Sequence, residues 1–333
     1  LQGSASGGGG GGGVISNIAL GQQIQQYFQG LGINAAQVFI NPSNGHCIPF
    51  SWASLAASQK TKLNSDSTLL DWVRPDEATR DQLQTVHPER YLNQLDLMQP
   101  TRGRVYTDPD TAMMPDTLRA ARLAAGASIE AVDMVLSSQL TNAFVCARPP
   151  GHHAERSKSM GFCFYNNIAL AAMRALNFHQ LERVAIIDFD VHQGNGTVDI
   201  VGGDERILMC SSFQHPFYPH SHVHRQAENI INTPIQAGTP ADEYRKIVEA
   251  AWLKRLQDFR PQLVLVSAGF DGHRLDPMAE LNLEVEDYRW LTEMITSVAS
   301  DHANDRIVST LEGGYHLRAL AESVNAHLEV LNA

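Results

Sequence analysis

Residues 183–197, Arg-Val-Ala-Ile-Ile-Asp-Phe-Asp-Val-His-Gln-Gly-Asn-Gly-Thr, set a short aliphatic run, Val184–Ile187, directly before a cluster of polar side chains. A run that brief and that apolar suits a parallel strand covered on both faces. Four further runs share its character: Ala143–Cys146, Ile207–Cys210, Leu263–Val266 and Ile307–Thr310. Helical patterns alternate with them, over Asn167–Leu176, Ala241–Leu256, Val285–Ser300 and Leu317–Leu331. That alternation predicts an α/β fold, a single domain with a mainly parallel sheet flanked by helices. Upstream, a long helical pattern starts at Asp116, a candidate N-cap after Pro115, and runs towards Leu140. A further amphipathic helix is expected over Asn17–Gly30, and no period is visible from Gly45 to Ser65.

The 333 residues are 43% hydrophobic and 18% charged, enough for one large core. Residues 1–13, rich in glycine, read as a linker or fusion scar outside the fold, and residues 14–333 as the folded domain. No apolar run reaches the roughly 18 residues that span a bilayer, and no leader signal is visible, so a cytoplasmic protein without membrane partners is expected. Lys and Arg number 25 against 36 Asp and Glu, a net charge of −11, which argues against general binding to nucleic acid. Cys47, Cys146, Cys163 and Cys210 form no Cys-x-x-Cys pair and read as buried free thiols in a reducing compartment.

The chemistry-bearing residues all follow strand ends. Ala143–Cys146 leads to Arg148-Pro149-Pro150-Gly151-His152-His153, and Val184–Ile187 to Asp188-Phe189-Asp190-Val191-His192. Leu263–Val266 leads to Ser267-Ala268-Gly269-Phe270-Asp271, and Ile307–Thr310 to Leu311-Glu312-Gly313-Gly314-Tyr315. Ligands of parallel sheets bind at the carboxyl edge, so four distant segments should meet in one site. Asp190 and His192, two apart, point the same way on an extended segment. With Asp271 they make a three-ligand set of two carboxylates and an imidazole that leaves a coordination position open, as catalytic metal sites do. Zinc is favoured, and iron(II) or cobalt accept the same ligands. Of the adjacent histidines, one can act as general base and the other orient or stabilise charge. Asp188 and Asn195 are candidate partners for them; an aspartate raises an imidazole's pKa, whereas an asparagine orients it. The phenol of Tyr315, beside Gly313-Gly314, can donate to a developing oxyanion.

These blocks, RPPGHHAERSKSMGFCFYNN, DFDVHQGNGT, SAGFDGHRLDP and LEGGY, resemble the signatures of the histone deacetylase and acetylpolyamine amidohydrolase family, nearest the bacterial class II type. Val86-His87 with Tyr91 resembles a further block, and the likeness runs from about Arg74 to Leu331. The resemblance implies the arginase–deacetylase fold and a zinc-dependent hydrolase of acyl, chiefly acetyl, amides of lysine or a polyamine. It implies Asp190, His192 and Asp271 as ligands of one zinc ion per chain. His152 and His153 become the tandem histidines, contacted by Asp188 and Asn195 respectively, with His153 the general base and acid. Tyr315 becomes the oxyanion donor. Gly161 and Phe162, with Phe217 or Tyr218, become walls of a narrow substrate tunnel. Asp188, Asp190, His192 and Ser211 match a structural potassium site.

The chain departs from the family's pattern over residues 14–70, where Asn44 to Phe50 stand in place of the usual His-Pro-Glu loop. A two-manganese ureohydrolase would need more carboxylates; Gly194 and Phe270 stand where they would be required. A silent acyl-lysine binder is the other alternative, although every catalytic position is filled. His220, His222 and His224 follow the aromatic wall and fit either the mouth or a solvated loop. A small-molecule or acyl-lysine substrate is expected, and a homo-oligomer is compatible with the sequence.

Overall fold

In the computed structural model, which describes residues 53–55, 73–223 and 227–333, alternate residues of each strand serve opposite cores. Val184 and Ile186 of strand β5 (Val184–Asp188) join one cluster, and Ala185 and Ile187 join the other. The same split separates Leu263 and Leu265 from Val264 and Val266 in β8 (Leu263–Ala268). Full burial on both faces is what the uninterrupted aliphatic runs require.

Nine strands are described in all. The main sheet has the order β1-β4-β9-β8-β5-β6-β7, with β1 (Ala53–Leu55) antiparallel to β4 (Asn142–Val145). The remaining strands, β5, β6 (Ile207–Gln214), β7 (Ile230–Ile235), β8 and β9 (Ile307–Leu311), run parallel to β4. A separate antiparallel hairpin pairs β2 (Val105–Asp108) with β3 (Thr111–Met113).

One core packs under helices α1 (Arg80–Gln84), α2 (Glu89–Met98), α3 (Thr117–Leu136) and α4 (Asn167–Met173) and includes Val198 and Val201 of α5 (Asn195–Val201). The other lies under α6 (Ala241–Phe259), α7 (Val285–His302) and α8 (Leu317–Leu331), around Tyr244, Trp252 and Tyr288. Among the described residues no helix is long and apolar enough to cross a membrane.

The four strand-linked helices stand where the periodicity places them, with two differences. Asp116 sits at the N-terminus of α3 but makes no capping bond; its φ of −98° and ψ of 3° turn the side chain away from the role expected of it. The end of α4 widens into a π turn, Arg174–Phe178, where Arg174 and His179 both reach Asp133 on α3. Cys163 and Cys210 are buried thiols, while Cys146 is only half-buried. The helix expected over Asn17–Gly30, and Cys47, lie outside the described residues.

Two interior histidines are held neutral. His87 Nδ1 faces the Arg156 carbonyl at 3.1 Å, and Nε2 accepts the Asn166 backbone N–H at 3.0 Å. Such a pair of partners fits only the neutral ring. His327 bridges Thr292 and Ser309 hydroxyls at 2.8 Å each, with no charge beside it. Burial pulls His87 down to about 4 and His327 down to about 3. Both folded values lie below the unfolded imidazole's, so the unfolded chain takes up more protons as pH drops below about 6.5. Stability is therefore expected to fall below that pH, by up to about 1.4 kcal/mol per pH unit for each ring. Urea unfolding at several pH values between 7.5 and 4.5 checks this: His327→Gln should show a shallower decline than the parent, and parallel curves would exclude the assignment.

Candidate active site

The parallel register brings the strand ends level. Asp188 at the end of β5 pairs with Ser211 of β6 on one side and Ser267 of β8 on the other. The chain leaving β5 turns at once, because Asp188 Oδ1 accepts the Asp190 N–H at 3.1 Å and Asp190 Oδ1 accepts the His192 N–H at 2.8 Å. These i to i+2 bonds are what short acidic side chains do at turns. They aim Asp190 and His192 at Asp271, which follows β8 and fastens the same turn by accepting the Val191 N–H at 2.9 Å.

Asp190, His192 and Asp271 are buried, and one candidate ligand atom from each lies within 4.8 Å of the others. His192 Nδ1 stands 3.0 Å from Asp190 Oδ1 and 3.1 Å from Asp271 Oδ2. Asp271 Oδ2 lacks hydrogen-bond geometry to that nitrogen and is a buried oxygen without a hydrogen-bond partner. Burial alone would lower the His192 imidazole, but Asp190 and Asp271 outweigh it and push it up to about 10. Burial and the Asp190 charge push Asp271 up to about 6. Two carboxylates this close in a dry pocket favour bound positive charge, and the donor set suits zinc. The residues present fit a divalent ion.

The histidine pair stands beside this group, its ring centroids 4.0 Å apart. His152 Nδ1 meets Asp188 Oδ2 at 3.1 Å, and His153 Nδ1 meets Asn195 Oδ1 at 2.7 Å. The two environments pull the rings apart. Burial lowers His152, but Asp190, Asp188 and Glu312 together leave it well above the ordinary value. His153 goes well below it, through burial and the neighbouring His152 and His192 rings.

Aromatic rings surround the group. Phe217 stacks on His192 with centroids 5.3 Å apart, and Tyr218 stands edge-on to His153 at 5.2 Å. Both alternatives named for the wall therefore touch the site. Phe162, more than a third exposed, meets the Tyr315 ring edge-on at 6.4 Å. Gly161 and Phe162 both take positive φ, +56° and +67°. At Gly161 the freedom is required, since a Cβ would overlap the His153 ring; at Phe162 it is strain. The hairpin tip holds that strain in place: Asp110 Oδ1 accepts the Gly161 N–H at 3.2 Å, and Thr111 Oγ1 accepts the Phe162 N–H at 3.1 Å. Ser211 Oγ is buried without a hydrogen-bond partner on the strand beside Asp188. His222 lies 3.4 Å from Glu155, His220 is exposed, and His224 lies outside the described residues.

The histone deacetylase domain model matches residues 50–331. The chain belongs to the histone deacetylase family. It is 41% identical over 268 residues to an uncharacterized protein of Synechocystis, a match covering 79% of this chain and 86% of that one. It is 37% identical to the histone deacetylase-like amidohydrolase of Pseudomonas aeruginosa over 72% of this chain and 64% of that one. A match to the polyamine deacetylase HDAC10 of Mus musculus, at 38% identity, covers 65% of this chain and 34% of that protein. Among solved structures, the HDA15 HD domain superposes with a TM-score of 0.73 at 32% identity, covering 78% of this chain and 74% of that one.

Several residues of this deacetylase-family site escape a reading by motif. Asp276 Oδ2 accepts the N–H groups of Tyr315 at 2.6 Å and His316 at 3.0 Å, fixing the turn that carries the phenol. Arg148 backs that turn, with Nη2 3.2 Å from the Gly314 carbonyl and its guanidinium 5.7 Å from the Tyr315 ring. Glu155 Oε1 accepts from Asn195 Nδ2 at 2.8 Å, which sets the amide so that its oxygen faces His153. Glu312 is fully buried, and burial pushes its carboxyl up to about 7. A charged residue between an aliphatic strand and two glycines is a signal that could have found it.

Among the glycines around the carboxylates, Gly313 is the most closely packed. Its N–H donates to Asp190 Oδ2 at 2.7 Å, and a Cβ there would overlap Asp271 Oδ2. Gly313→Ala is expected to weaken divalent-metal retention about tenfold or more. Metal analysis after dialysis checks this, and full metal content in a folded variant would contradict the crowding.

Proposed function

We propose that this chain hydrolyses the acyl amide, chiefly the acetyl amide, of an acylated lysine or polyamine. The observation that carries the reading is the buried Asp190–His192–Asp271 group placed beside a histidine pair whose members have opposite proton affinities. The family membership and the names of the Pseudomonas and mouse relatives support it. Zinc held by Asp190, His192 and Asp271, one ion per chain, would supply Lewis-acid polarisation of the substrate carbonyl and a more acidic water.

The chain's own residues do the rest. Asn195 accepts from His153 Nδ1, which leaves Nε2 as a free acceptor on a neutral ring. His153 takes a proton from the attacking water as the new C–O bond forms. It returns that proton to the amine nitrogen as the C–N bond breaks, giving a carboxylic acid and an amine, which become carboxylate and ammonium by transfer of the water's second proton. His152, paired with Asp188, adds positive charge beside the developing oxyanion. The Tyr315 hydroxyl donates to that oxyanion. Gly161, Phe162, Phe217 and Tyr218 present the apolar walls that an extended alkyl chain requires. Ser211 Oγ, unpartnered beside Asp188, supports a structural potassium ion held by the segment that also carries Asp190 and His192. The acidic net charge suits a cationic amine product better than nucleic acid, and a cytoplasmic setting fits the free thiols.

A fluorogenic acetyl-lysine assay tests the reading. Turnover is expected with zinc, lost on chelation and regained on adding zinc back. Absent turnover in zinc-replete protein would leave a binding module instead. Side-by-side rates on an acetyl-lysine peptide, acetylputrescine and trifluoroacetyl-lysine then separate the substrate classes. Tyr315→Phe removes one oxyanion donor and is expected to lower kcat by about 10²–10³ with KM little changed. Undiminished turnover in that variant would refute the role given to the phenol.

A further inference from the structure

Glu312 stands apart from the groups that meet substrate, yet its carboxylate is tied to the loop that carries them. Oε2 accepts the backbone N–H groups of Gly151 at 2.8 Å and His152 at 3.1 Å. Oε1 accepts from Ser267 Oγ at 3.0 Å. The residue is fully buried, and its own N–H is bonded to the Ala268 carbonyl at 2.9 Å. One carboxylate thus fastens the chain leaving β4 to the ends of β8 and β9. All three donors are met by the two carboxyl oxygens.

The loop's other ties to the strand ends run through side chains, His152 Nδ1 on Asp188 Oδ2 at 3.1 Å and Arg148 Nη2 on the Gly314 carbonyl at 3.2 Å. Gly151 packs so closely against Asn167 that a Cβ would clash with its backbone nitrogen. The next bonds, Thr197 N–H to the His152 carbonyl at 3.1 Å and Ala154 N–H to Gly151 at 3.0 Å, fix the loop to α5 and to itself. Glu312 is the group that ties the Gly151–His152 backbone itself to the strand ends.

We propose that Glu312 is a positioning residue: it holds the Gly151–His152 backbone at the level where His153 faces the reacting carbonyl, and it does so by reach rather than by charge. This rests on the hydrolase reading above. The chemical demand is plain, since a displacement of about 1 Å in a general base can cost on the order of 10² in rate.

Two conservative variants separate reach from charge. Glu312→Gln keeps the length; its amide oxygen can still accept both N–H groups, and its nitrogen can donate to Ser267. Glu312→Asp keeps the charge but withdraws it by one methylene. The expected result is that Glu312→Asp lowers kcat about tenfold or more, with KM within about twofold and zinc content intact, while Glu312→Gln keeps kcat within about fivefold. Hydrogen exchange over residues 149–155 should quicken in Glu312→Asp and stay near the parent's in Glu312→Gln. The reverse pattern, with the glutamine variant impaired and the aspartate variant normal, overturns the proposal in favour of an electrostatic role. Parent-like kcat and exchange in both variants overturn it outright. If the parent protein itself shows no acyl-amide turnover, the hydrolase reading fails, while the exchange measurement still decides whether Glu312 orders the loop.

Discussion

Four carboxylates converge, buried, at one edge of the sheet, and the rest of the site is arranged to make that tolerable. Asp188, Asp190, Asp271 and Glu312 are each fully enclosed. In a dry interior, such a gathering of negative charge survives only with hydrogen-bond donors and positive partners close by. Backbone N–H groups supply the first requirement, from Asp190, His192, Val191, Gly313, Gly151 and His152. Imidazoles meet the second in part, and a divalent cation held by Asp190, His192 and Asp271 would complete it. Glycine at Gly194 and Gly313 follows from the same crowding, because a Cβ at either would overlap a carboxylate oxygen.

Histidine shows how completely environment decides chemistry in this protein. His87 and His327 are buried among carbonyl, amide and hydroxyl groups, and their proton affinity falls. His152 and His192 are equally buried but face carboxylates, and theirs rises. His153 is lowered too, but inside the charged group. It touches an amide instead of a carboxylate and has imidazole neighbours, so it is left neutral in a strongly charged neighbourhood. The base role proposed for His153 requires a ring that starts neutral.

Much of the architecture was legible because burial on both faces leaves an unmistakable aliphatic signature. The strands without that signature were not. β7 lies at the end of the strand order and is only partly buried, and Pro234 interrupts it, which an edge strand tolerates. The hairpin β2–β3 has half-exposed polar residues, and α1 and α5 are too short to show a period. At the site, ligand-type residues two apart after a strand announce themselves. Asp276, Glu155 and Arg148 do not, because their contribution is a contact across 39, 40 and 166 residues, respectively. Cap chemistry at Asp116 was legible as a residue type and wrong as an interaction.

The hairpin that braces Gly161 and Phe162 belongs to a different sheet from the one that carries the aspartates. The ribbon beside Gly161 and Phe162 and the strand ends with the aspartates are thus separately built pieces of the molecule. A change in the length or charge of that small ribbon would reach Gly161 and Phe162 while the strand termini stay in register. A peripheral connection of this kind can vary while the frame that carries the strand-end residues keeps its shape.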